Sequence, residues 1–148
     1  MRARDLASEF PTVKRETLAI EAARLLAGQD LPGLIVVDDE GLPSKVLPGT
    51  QVLRMAVPGY CQDDPVLARV IDESEADLFL RELGERTVGD GLDEADRELP
   101  VVDGEATVLE IASVMAASRS PLVAVVEDGR MLGAISLDAL LDRVLDLG

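Results

Sequence analysis

"TVLEIASVMAASRSPLVAVVEDG", Thr107–Gly129, decides the fold, because a stretch ninety residues upstream is built the same way. In "TLAIEAARLLAGQDLPGLIVVDDEG", Thr17–Gly41, a threonine again opens a helical pattern, a proline follows it, and an apolar run ends in an acidic turn closed by glycine. Leu18, Ala22, Leu25 and Leu26 stand at i, i+4, i+7 and i+8, which predicts one buried helical stripe. Val108, Ala112, Met115 and Ala116 repeat that spacing. Thr107 and Glu110 form a T-x-x-E capping box, whereas Thr17 has Ile20 at the matching place and is expected to cap alone. Beyond Pro32 and Pro121, "LIVV" (Leu34–Val37) and "LVAVV" (Leu122–Val126) read as strands buried on both faces. Asp128-Gly129 is a two-residue hairpin signal, and "DDEG" (Asp38–Gly41) is its longer counterpart.

The repeat extends in both directions. Upstream lie short extended pieces with proline, "FPTV" (Phe10–Val13) and "LPVV" (Leu99–Val102). Before them come "ARDL" (Ala3–Leu6) and "VGDG" (Val88–Gly91), each with an aspartate near the start of a short helix. Downstream, a second strand leads to a second helix: Leu42–Leu47 then Thr50–Ala56, and Arg130–Ser136 then Leu137–Leu147. Each copy therefore reads strand–helix–strand–strand–helix. One copy cannot cover its own sheet, so two are expected to pack together. Between the copies, Asp64-Pro65 opens a helix with Val66, Leu67, Val70 and Ile71 inward, and Ser74 caps another with Ala76, Phe79, Leu80 and Leu83 on one face. The expected organisation is repeat 1 over 1–57, a helical insert over 58–86 and repeat 2 over 87–148.

Composition narrows the function classes. The 148 residues fit one compact domain or two half-size units, and with 2% aromatics the core must come from Leu, Val, Ile and Ala. The formal net charge is −15, and Asp63–Glu98 alone carries thirteen acidic against four basic residues. A phosphate backbone is repelled by such a surface, so nucleic acid is not an expected partner. No apolar run approaches the roughly 18–20 residues of a membrane span, and the N-terminal stretch does not read as a signal peptide, so a cytoplasmic location is expected. Histidine is absent, which removes the commonest general acid–base and metal-ligand side chain. A lone Cys61 allows no internal disulfide, and neither it nor any serine lies in a recognisable nucleophile setting. Two lysines against twelve arginines, with no Asn or Trp, point to a high-G+C bacterial genome.

The ordered set of capped helix, "LVAVVEDG", "RMLGAIS" and "LDALL", occurring twice, resembles a tandem pair of CBS (cystathionine-β-synthase) domains. The resemblance spans the chain except about Pro58–Arg86 and is stronger in the second copy. It implies an α/β (α+β) fold in which two β-α-β-β-α repeats pack with pseudo-two-fold symmetry, often as a homodimer. It also implies clefts between the repeats for adenine nucleotides or related adenosyl compounds. The family motif is Gly, two apolar residues, Ser or Thr, two of any kind, then Asp. By that resemblance the hydroxyl contacts phosphate beside a helix N-terminus, the aspartate takes the ribose hydroxyls, and apolar strand residues flank the base.

In the second copy Gly133, Ala134, Ile135 and Ser136 match the motif, with Val101 and Leu122 as further apolar wall residues. The family aspartate falls at Ala139, and Asp138 stands one position early, a rotation of about 100° around a helix. Asp138 serves either the ribose or the positive end of the helix. Arg119 is a candidate phosphate contact or an exposed helix-end arginine. The first copy departs further: Lys45, Pro48 and Gln51 take the glycine, hydroxyl and aspartate places, leaving Thr50 as a phosphate contact or a helix cap. Few basic side chains surround the motif, so AMP or an uncharged adenosyl compound such as S-adenosylmethionine is easier to accommodate than ADP or ATP. Two readings follow: a ligand-sensing regulatory module, with no required cofactor, acting on a separate enzyme, transporter or channel, or a dimerisation and protein-interaction module with vestigial clefts.

Overall fold

The computed structural model describes residues 1–29, 31–56, 66, 81, 83–92 and 98–146. Its elements follow the repeated order. The first copy comprises α1 (Ala3–Leu6), β1 (Thr12–Val13), α2 (Ala19–Gln29), β2 (Gly33–Val37), β3 (Pro43–Pro48) and α3 (Gly49–Ala56). The second comprises a 3-10 turn (Val88–Gly91), β4 (Val101–Asp103), α4 (Val108–Ser118), β5 (Leu122–Glu127), β6 (Arg130–Ser136) and α5 (Leu137–Asp146). Each copy forms a three-stranded sheet, ordered β1-β2-β3 and β4-β5-β6. The helical segments expected within Asp64–Leu80 lie outside the described residues, apart from Val66. That residue was expected to point inward, but it stands in a turn and is 59% exposed. Leu83 is helical and buried. Among the described residues no helix is long and apolar enough to cross a membrane.

The compact units do not follow chain order. One consists of Met1–Thr12, Ile35–Val46 and Arg97–Gly148, the other of Val13–Leu34 and Leu47–Asp96.

In the first unit β4 runs parallel to β5, and β5 antiparallel to β6 through the Asp128-Gly129 turn. Asp128 has φ 53° and Gly129 φ 76°, the paired left-handed geometry that a right-twisted two-residue hairpin requires. Alternation along the strands divides the apolar residues between two faces. Val102, Val123, Val125 and Ile135 pack under Ile111, Met115 and Leu140 of the helices, while Leu99, Leu122, Ala124 and Ala134 pack with Ile35 and Val37. This double burial explains why β5 reads as a continuous apolar run.

Two stripe assignments change. On α4 the buried positions are Ile111 and Met115, whereas Ala116 is exposed and Val108 and Ala112 are half-buried. The helix is apolar around most of its circumference, so spacing alone does not say which face meets the sheet. On α2 the buried pair is Ala19 and Ala22, while Leu18 precedes the helix and is largely exposed. Thr107 caps α4 by accepting the Glu110 N–H at 3.2 Å. Thr17 does not cap: its hydroxyl accepts the Lys14 N–H at 3.0 Å, and the Ala19 N–H at the start of α2 goes to the Arg86 carbonyl at 2.9 Å. Tertiary contact replaces the local cap.

The second unit buries Val13, Ala22, Leu34, Leu47, Val52, Met55, Leu83 and Val88. The 3-10 turn joins it through Val88 N–H to Thr17 O at 2.8 Å and Gly89 N–H to Arg15 O at 2.8 Å. The two short leading helices share one device. The Asp5 carboxylate accepts the Arg2 N–H, and the Asp90 carboxylate accepts the Thr87 N–H, each at 2.9 Å.

Candidate functional site

Ser136 ends β6 and stands immediately before α5. Its Oγ accepts the Ala139 N–H at 3.2 Å, so the position of the family aspartate supplies a backbone donor to the serine. The Leu137 N–H donates to the Pro121 carbonyl at 2.9 Å. Two of the N–H groups that a helix start leaves open are therefore satisfied within the chain. Asp138 is exposed in the first turn of α5, where its charge opposes the positive end of the helix dipole. A carboxylate at this place also repels dense phosphate charge.

Pro121 links this corner to the end of α4. Arg119 adopts the left-handed conformation, φ 55° and ψ 33°, and closes α4 as an exposed residue. That conformation is uncommon for a residue with a Cβ. The Ser120 hydroxyl donates to the Leu122 carbonyl at 2.6 Å, which fixes the corner leading into β5. Because the Pro121 carbonyl holds Leu137, Arg119 and Ser136 belong to the same end of the sheet.

The strand register sorts the remaining sequence-derived residues. Leu122 pairs with Ser136, and Val101 pairs with Ala124, which pairs with Ala134, so Val101, Leu122 and Ser136 share one sheet face. Ile135 pairs with Val123 on the opposite face, beneath the helices. Leu122 and Ile135, expected beside the ligand, are both 0% exposed and belong to the core, while Val101 keeps 46% of its surface. Gly133 serves the backbone: it has φ +158°, and a Cβ there would lie 2.4 Å from the Ser8 carbonyl oxygen. Ser8 and Ala134 exchange N–H···O bonds of 3.0 Å in each direction across this approach.

The matching corner of the first copy is built differently. Pro48 ends β3, and three residues later the Gln51 amide donates to the Gly91 carbonyl at 2.6 Å. Met55, one turn further along α3, lies so close to Gly91 that a Cβ there would overlap its sulfur. Asp90 completes the clip: hydrogen bonds from the Thr87 backbone and hydroxyl hold its carboxyl below the usual carboxylate range. Of the motif positions here, Gln51 serves the fold through its bond to Gly91.

One feature escaped the sequence reading. Ala112, Met115 and Ala116 of α4 and Leu137, Leu140, Leu141 and Val144 of α5 line an apolar groove of about 530 Å³, with Arg119 at its end. The signal was present: Leu137, Leu141 and Val144 follow an i, i+4, i+7 spacing, opposite two alanines.

Comparison with known proteins accords with this architecture. A family model described as the CBS domain matches residues 92–146. A CBS domain-containing protein of unknown function from Kribbella flavida is 50% identical, covering 98% of this chain and 99% of that one, with a TM-score of 0.90. The CBS domain of a membrane protein from Sphaerobacter thermophilus is 21% identical over 96% of this chain and 86% of that one, with a TM-score of 0.72. The Arabidopsis thaliana CBS-pair protein CBSX2, in a structure described as a complex with AMP, is 17% identical over 99% and 97%, with a TM-score of 0.67. No curated protein matches the chain. Half-identity along nearly the full length of the Kribbella protein, together with the doubled element order, shows that this chain belongs to the CBS domain family as a tandem pair.

Proposed function

We propose that the chain is a non-catalytic regulatory module that binds an adenosine-containing ligand, AMP-like in its charge, beside Ser136 and acts on a separate partner protein. The observation that carries this reading is the corner itself: a serine hydroxyl at a helix start, at the same end of the sheet as Arg119. A fold relative described in complex with AMP supports it. The Asp138 charge and the two internally satisfied N–H groups favour one phosphate, or none, over three. Titration calorimetry with AMP, ADP, ATP and S-adenosylmethionine tests the proposal. Micromolar AMP binding that weakens at least tenfold in Ser136→Ala is expected, and no heat from any of the four overturns it.

The α4–α5 groove favours a second reading. Leu137, Leu141 and Val144 each keep more than two fifths of their surface exposed, an apolar stripe suited to a second copy of the chain. In this reading the module dimerises through α4 and α5 and its ligand corner is vestigial. Sedimentation distinguishes the two: a dimer dissociated by Leu141→Glu, in a protein that binds none of the four compounds, replaces sensing with assembly.

A further inference from the structure

The leading segment of the first copy is held onto the sheet of the second. Ala3 is fully buried among Val102, Ala106 and Ile135, and its N–H donates to the Ala106 carbonyl at 2.9 Å. The Arg4 N–H donates to the Gly104 carbonyl at 3.0 Å. The Arg4 guanidinium spans two carboxylates, contacting Glu105 after β4 and Glu127, at 2.6 Å, at the end of β5. Four residues on, Ser8 pairs with Ala134 along the outer edge of β6. Two glycines make room: a Cβ at Gly104 would lie 2.8 Å from the Glu127 carboxylate, and one at Gly133 would strike Ser8. Arg4 thus joins two acidic side chains of a chain with net charge −15 and anchors a segment whose far end covers the strand carrying Ser136.

We propose that Arg2–Ser8 is an electrostatically latched strap on β6, with Arg4 as the positioning residue whose release loosens the Ser136 end of that strand. The binding consequence rests on the reading of Ser136 as a ligand contact; the strap stands without it. Arg4 is partly exposed, so its latch is open to screening by salt. The strap opens as a local unit, separately from the buried strand β5.

Amide hydrogen exchange on the full chain, at about 0.05 M and about 0.5 M salt, tests this with wild type, Arg4→Gln and Arg4→Lys. In wild type, the amides of Ala3, Arg4, Ser8 and Ala134 exchange together and faster in high salt. In Arg4→Gln they exchange about five- to tenfold faster and lose their salt dependence, while Val123 and Val125 keep wild-type rates. Arg4→Lys restores part of the protection, because a single ammonium meets the charge without spanning both carboxylates. Unchanged Ala134 exchange in Arg4→Gln overturns the strap, as does equal acceleration at Val123 and Val125. AMP titration of the same proteins reads the coupling, with several-fold weaker binding expected in Arg4→Gln. Equal affinity with an opened strap overturns the positioning role. If wild type binds no AMP, the functional reading fails while the exchange data still decide the strap.

Discussion

The β6–α5 corner and the β3–α3 corner occupy the same place in two copies of one pattern, and they spend it differently. At the first, Gly133 lets the Ser8 backbone close the strand edge and Ser136 holds a hydroxyl at the helix start. At the second, Lys45 replaces the glycine and its strand is bridged at Glu98, where the Leu99 N–H donates to the Ser44 carbonyl at 3.2 Å. Pro48 removes the hydroxyl, and Gln51 and Met55 grip Gly91. Where the first copy departs from the family motif, its corner carries contacts that hold the fold, from Gln51 and Met55 to Gly91. The comparison teaches that a position departing from the motif can still carry a specific contact, as Gln51 does.

Four measurements break or sharpen that comparison. The largest effect is expected at Gly133→Val, where a side chain meets backbone that has no rotamer to yield. Denaturant unfolding should show a loss above about 3 kcal/mol. Gly49→Ala, at an open helix start, should stay within about 1 kcal/mol of wild type. Equal losses at the two glycines would remove the close approach as the reason for Gly133. Next comes Gln51→Ala, which strands a part-buried carbonyl and should cost about 1–2 kcal/mol while leaving any AMP affinity unchanged. A fall in affinity there would show that the second corner still binds. Ser136→Ala should cost about 1 kcal/mol through loss of the bond from the Ala139 N–H. A neutral result would assign the serine to ligand alone.

The smallest effect is expected at Asp90. Hydrogen bonds from the Thr87 backbone and hydroxyl hold its carboxyl below the usual carboxylate range. A lowered folded-state pKa adds stability that is complete above the unfolded value and disappears as pH falls through the folded one. The clip should therefore be indifferent to pH near neutrality and weaken only in acid. Observed by NMR, the Asp90 midpoint should lie below 3.8 and rise in Thr87→Ala. No movement in that variant would assign the shift to the Thr87 backbone N–H alone.

Much of this was legible in the residues. The Asp128-Gly129 dipeptide specifies its hairpin because few residues tolerate two successive positive φ angles, and β5 announces itself as a run buried on both faces. Thr107 marks its helix start through a bond that spans only three residues. The failures also have physical causes. Thr17 stands at the matching place of the repeat, but its helix is closed by a carbonyl almost seventy residues away. Ile111 and Ala116 are both apolar, and only the position of the sheet separates core from groove. In the candidate site, Ser136 was legible as a hydroxyl at a strand-to-helix junction. The split of Leu122 and Ile135 onto opposite faces required the register.

Periodicity and turn chemistry, both short-range, with the doubled pattern ninety residues apart, predicted the described elements and their order and carried the family resemblance. Tertiary structure alone decided where the leading segments go: Ala3 into the core against β4 and β6, Val88 into the core against α3. It also decided that Gly133 stands against Ser8 and that Gln51 reaches Gly91. Those outcomes depend on which surfaces two distant segments present to each other, and local sequence carries no record of a partner forty or more residues away.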